Sequence, residues 1–160
     1  MKHMKNKVIF DYRFTSEKDS LHYKMRKDVS SLLNVSTVFK IYINEDLYFE
    51  QEEFPILEFY KYLYKWKIAI QKDKKVYEFH YYSIEHDEYE EGAIISLIPF
   101  GDKMRLKSIW AELELYNVFE LDYLISELIA LETRLKRDLE NYFQIELDKF
   151  IKHIPSRYIL

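Results

Sequence analysis

Apolar and polar residues alternate over 8–14. Val8, Phe10, Tyr12 and Phe14 share one face of an extended segment, and Asp11 and Arg13 lie on the other, which predicts a strand. Residues 37–43 repeat the pattern, with Phe39, Ile41 and Ile43 set against Lys40 and Tyr42. Asn44-Glu45-Asp46 is turn-forming and 47–49 reads as a short returning strand, so the pair predicts a hairpin. Pro55 suits a first helical position. After it, Ile56, Phe59, Tyr60, Leu63 and Ile70 recur at helical spacing, and Leu57, Tyr64 and Ile68 add a second apolar row. So wide an arc predicts a helix covered on more than one side. A shorter helix is expected over 24–33, with Met25, Val29, Leu32 and Leu33 on one side.

Residues 76–84 are β-rich by residue type. Residues 93–98 and 104–116 flank a Pro99-Phe100-Gly101-Asp102 turn and predict another hairpin. In its second arm the apolar parity changes: Met104 and Leu106 share one phase, and Ile109, Ala111, Leu113 and Leu115 the other. A bulge near 107–108 or a break into two strands is expected there. From about 120 to 151 the period is helical through Leu121, Leu124, Leu128, Leu131, Leu135, Leu139 and Tyr142, with a break near 143–145. Glu132, Lys136 and Glu140 fall at four-residue steps and are read onto its solvent side. The expected fold is α+β: one domain over 1–160, with a mostly antiparallel curved sheet of about five to six strands. Helices pack on one face, and the C-terminal helix is long.

Composition narrows the function classes. The chain has 160 residues, no cysteine and two glycines. Thiolate chemistry and disulfides are excluded. So are the glycine-rich phosphate loops, which two glycines nine positions apart cannot build. No unbroken apolar run suggests a signal peptide or a membrane span, so a cytoplasmic protein is expected. Lysine-rich, arginine-poor composition with abundant Ile, Phe and Tyr fits a low-GC bacterial coding bias.

Several constellations invite a chemical reading. The run Glu85-His86-Asp87-Glu88-Tyr89-Glu90-Glu91 offers oxygen and imidazole ligands, but it has neither EF-hand spacing nor an HExxH, and a solvated acidic connector is the plainer reading. Glu112 and Glu114 stand two apart on an expected strand, either as paired carboxylates or as its outward side. His80, set among Tyr77, Phe79, Tyr81 and Tyr82, is either an acid–base group or a packed strand histidine. Aromatics reach 18%, which suits stacking on bases. A net charge of −4 with only short basic patches disfavours nucleic acid. Acidic charge is concentrated: 45–53 and 85–91 each hold five carboxylates and no lysine or arginine, interleaved with Tyr48, Phe49 and Tyr89.

The run Ile43-Asn44-Glu45-Asp46-Leu47-Tyr48-Phe49, then Phe54-Pro55-Ile56-Leu57-Glu58-Phe59 and Lys65-Trp66, resembles a pattern in small uncharacterised α+β proteins of Bacillus-like bacteria. Phe79–Ser83 and Ser108-Ile109-Trp110 are similar in type. These motifs imply a fold and no activity. In general character the chain also resembles immunity proteins of bacterial toxin systems.

The leading expectation is a non-enzymatic interaction protein of that inhibitor type. Glu52, Glu53, Glu85, Asp87, Glu88 and Glu90 would steer a basic protein partner, with Tyr48 and Tyr89 as anchors. The alternative is an enzyme acting on a small molecule or nucleotide metabolite, in a pocket lined by His80, Tyr82, Glu112 and Glu114. A homodimer that consumes the aromatic excess is the third arrangement. No cofactor, metal or membrane partner is expected.

Overall fold

The computed structural model describes residues 5–21, 32, 35–83 and 92–154. Alternation sets the first two strands as expected. β1 (Val8–Phe14) pairs antiparallel with β2 (Ser36–Ile43), Val8 opposite Ile43 and Phe14 opposite Thr37. A two-residue turn follows, with Asn44 (φ 51°) and Glu45 (φ 76°) both left-handed, the conformation that matches strand twist in tight hairpins. The Asn44 side chain fixes this turn to the start of β1 by accepting from the Lys7 N–H at 2.8 Å.

β3 (Asp46–Pro55) is much longer than the expected 47–49. Two irregularities in its pairing with β2 explain the difference. Tyr48 is an extra residue between the pairs Tyr42–Leu47 and Ile41–Phe49, and another extra residue falls between Gln51 and Phe54. Each such bulge resets the inward–outward alternation. Pro55 closes β3, and α1 (Ile56–Asp73) begins one residue later than its proline suggested.

α1 ends at Lys74, whose left-handed backbone lets its N–H reach the Ile70 carbonyl. The remaining elements are β4 (Phe79–Tyr81), β5 (Ile95–Phe100), β6 (Lys103–Lys107), β7 (Val118–Glu120), α2 (Leu121–Phe143), α3 (Leu147–Phe150) and a 3₁₀ turn over Ile151–His153. The expected strand over 76–84 is only three residues long. The parity change after Leu106 is a break: β6 stops at Lys107 and 108–117 is irregular. The break at 143–145 is present, with Gln144 left-handed. Of the helix expected over 24–33, only Leu32 lies among the described residues; it is helical and buried.

The fold is α+β, but its strands form two antiparallel sheets, β1-β2-β3 and β4-β5-β6-β7, in place of one larger sheet. The cause lies in α1. Every residue from Ile56 to Leu63 is buried, so no single sheet face covers it. The Phe59 ring meets Phe39 and Phe54 of the first sheet and Phe79 and Tyr81 of the second. α2 then closes the first sheet's exposed side. The Val8 N–H donates to the Tyr123 hydroxyl (2.9 Å), and Arg134 donates to the Phe10 carbonyl (2.9 Å). Outward main-chain groups of an edge strand invite intermolecular pairing, and here helix side chains occupy them.

Side-chain hydrogen bonds from Asn6 and Tyr48 also join the sheets. Asn6 donates from one amide to the carbonyls of Tyr116 (2.6 Å) and Val118 (2.8 Å), along the outer edge of β7, while its oxygen accepts from Asn44 (2.6 Å). Tyr48 reaches from β3 to the Leu106 carbonyl at the end of β6.

Candidate functional site

The bulges that lengthen β3 also distribute its charge. Glu45 and Asp46 sit exposed at the hairpin turn, and the second bulge leaves Glu52 and Glu53 exposed side by side. Glu50 is the one carboxylate of this segment with a cation, Lys40 at 3.4 Å on β2. Glu45, Asp46, Glu52 and Glu53 make no ion pair among the described residues.

Tyr48 does not stand at this surface. The first bulge turns it inward, where it is 3% exposed, and burial pushes its phenol pKa up. The surface anchor expected there is an internal pin between the sheets.

The 108–117 connection brings a second acidic group alongside. The Glu112 N–H donates to the Tyr48 carbonyl at 2.8 Å, at the bulge residue that β2 leaves unpaired. Glu112 and Glu114 are therefore not strand residues as expected; they are exposed on a connection laid against β3, again without an ion pair among the described residues. Between and beyond them the chain holds out Leu113 (51% exposed) and Tyr116 (74%), while Trp110 and Leu115 pack against the core. The expected strand assigned Leu113 to an inward face. The parity change at 107–108 was the signal that this assignment would fail.

The residues of the alternative pocket separate into two groups. His80 on β4 opposes Ser96 on β5; one ring nitrogen lies 3.0 Å from the Ser96 hydroxyl and the other 2.8 Å from Glu78. A carboxylate–imidazole–hydroxyl chain is the arrangement that activates a serine nucleophile. Here Ser96 is 5% exposed within the ladder, so the hydroxyl offers no approach for a carbonyl carbon, and the chain orients the imidazole. Tyr82 follows β4 and is half-buried, whereas Glu112 and Glu114 belong to the surface beside β3. A cleft beside Asn6, about 790 Å³, is lined by other residues, among them Lys5, Lys7, Asp102, Glu120 and Asp122.

Other ionisable groups are buried inside the fold. Glu58 accepts from the Tyr81 hydroxyl at 2.7 Å. Glu132, expected on the solvent side of α2, is 2% exposed and lies 2.9 Å from Lys67 and 3.3 Å from the Tyr60 hydroxyl of α1. The i,i+4 pattern located it on the helix but not on the correct side of it, because its partner comes from another helix. No group of three or more His, Asp or Glu that could hold a metal occurs among the described residues. Glu85, Asp87, Glu88, Tyr89 and Glu90 lie outside the described residues.

Fold and surface together define an α+β protein of two antiparallel sheets, with exposed carboxylates on β3 and on the connection bonded to it. Residues 10–141 match the model of a family described as a domain of unknown function (DUF7878), and the chain belongs to that family. No curated protein and no solved structure matches it. Among the described residues, no helix is long and apolar enough to cross a membrane.

Proposed function

We propose that this chain is a non-enzymatic interaction protein that receives a basic protein partner on its acidic flank. The observation that carries this reading is the bond from the Glu112 N–H to the Tyr48 carbonyl, which draws Glu112 and Glu114 to the strand that already exposes Glu45, Asp46, Glu52 and Glu53. Exposed carboxylates that make no ion pair among the described residues turn the local potential negative. They steer a cationic protein toward the surface and repel acidic ones. The finer reading is an inhibitor of the toxin-immunity type, which occludes a cationic cleft on its target. In that reading Glu85, Asp87, Glu88 and Glu90 add steering charge and Tyr89 an anchor.

The test is capture from native lysate with the tagged protein, at low and at high salt, beside a Glu52→Lys/Glu53→Lys variant. A basic partner lost both in high salt and in the variant supports the reading. A partner held equally well under every condition overturns it.

A further inference from the structure

We propose that Tyr116 is a phosphorylation site whose phosphate is received by Lys5 and Lys103 across the cleft that all three line. The inference stands apart from the acidic-flank reading. Tyr116 is 74% exposed and is the one exposed tyrosine among the described residues. It lies outside any helix or strand, so no ladder has to open for an enzyme to reach the phenol. Other phenols are committed to the fold: Tyr12 donates to Asp138, Tyr81 to Glu58 and Tyr142 to the Ser16 carbonyl. The Tyr116 hydroxyl makes no hydrogen bond among the described residues, and Asn6 holds the carbonyl of the same residue in place. The step takes its phosphoryl group from a nucleoside triphosphate carried by a kinase. The phenol oxygen bonds to the γ-phosphorus, the bond from that phosphorus to its bridging oxygen breaks, the nucleoside diphosphate leaves, and the phenol proton passes to a base of the kinase.

The cleft supplies the receiving charge. It encloses about 410 Å³ and is lined by Tyr116, Lys5 and Lys103, with Glu120 in the same wall. Lys103 holds its proton more tightly than an ordinary lysine, chiefly because it donates to Glu120, with Asp102 and Tyr116 adding to the effect. That bond keeps the Glu120 carboxyl below its usual range, and Lys5 contributes through its charge. Lys5 makes no ion pair among the described residues. Two ammonium groups thus share the Glu120 carboxylate. A phosphate monoester brings a charge of about −1.5 to −2 at neutral pH and three acceptor oxygens, more than Glu120 offers, and so draws both lysines.

The experiment uses the full chain in two arms. In the first, a purified tyrosine kinase and magnesium ATP label the native chain and Tyr116→Phe. The substitution should remove most of the incorporated phosphate. Equal incorporation in the two chains, or none in either, overturns the site. In the second, phosphotyrosine is built in at position 116 during translation and titrated by phosphorus NMR. Its second ionisation should fall about one pH unit lower than in the same chain carrying Lys5→Gln/Lys103→Gln, because nearby cations favour the dianion. Lys5→Arg/Lys103→Arg should keep the lower value, which separates lost charge from a disturbed fold. Equal values in the lysine and glutamine chains overturn the receiving role of the two lysines.

Discussion

Glu132 illustrates how one side chain can couple two helices. Its carboxylate sits among Lys67 and Tyr60, both from α1, so removing either partner leaves a buried charge short of compensation. Lys67 is itself partly solvated, which tempers the cost. Lys67→Met should lower the unfolding free energy by about 2 kcal/mol, and adding Glu132→Leu should recover most of it, because an apolar pair needs no compensation. A urea double-mutant cycle checks this; strictly additive losses would contradict it. The same site makes a pH prediction. The phenols of Tyr12, Tyr48 and Tyr60 all titrate above the ordinary value, burial being the largest cause, with Asp138 acting on Tyr12 and Glu132 on Tyr60. Raised folded values mean the folded chain holds these protons more tightly. Their contribution is complete below about pH 10 and is lost as pH rises beyond it, at about 1.4 kcal/mol per pH unit for each tyrosine that ionises only on unfolding. Lys61 opposes this, since burial lowers its pKa and its charged form is the unfavourable one in the fold. Denaturation series across that alkaline range should show a shallower fall for Tyr60→Phe than for the native chain.

At the scale of elements, the strands and helices with clean periods were legible: β1 and β2, both long helices, and the break after Phe143 all lie where the pattern predicts them. The misses trace to bulges and to contacts between elements distant in sequence, neither of which alternation alone reveals. β3 runs past its expected end at Phe49 because bulges in its own hairpin interrupt the alternation, leaving Tyr48 and Phe49 both buried. The segment 109–115 alternates well and yet forms no strand; the Glu112 N–H is held by the Tyr48 carbonyl, and the chain just beyond the segment, at Tyr116, by Asn6. The acidic residues of 45–53 were visible as charge, but their proximity to Glu112 and Glu114 depended on that docking. Asn6 tests this view of long-range stitching. Its amide is a double donor, so Asn6→Ala should cost about 1 kcal/mol. Asn6→Asp should cost more, since a carboxylate would face the carbonyls of Tyr116 and Val118. Chemical denaturation ranks the two, and a better-tolerated aspartate would refute the assignment.

At the scale of the molecule, the segment recognised as the family domain stops at residue 141, while the core does not. Ile145, Leu147 and Ile154, beyond the left-handed Gln144, are all buried in the same hydrophobic cluster as α1 and α2. The Ile154 carbonyl also accepts from the buried Lys61 ammonium at 2.8 Å, and the Leu147 N–H donates to the Glu140 carboxylate at 3.0 Å. Burying such side chains contributes about 1.5–3 kcal/mol each, an upper bound because unfolded chains are already partly collapsed. Against a total of about 5–15 kcal/mol for an ordinary domain, that is a large share. Without the segment, Lys61 also loses its acceptor and becomes a desolvated charge on a helix whose first two turns are enclosed. A chain ending at Gln144 should therefore unfold at a much lower denaturant concentration, and Lys61→Met should restore part of the loss in that shortened chain while doing little for the full one. An unchanged midpoint on truncation would mean that α1 and α2 close their core unaided.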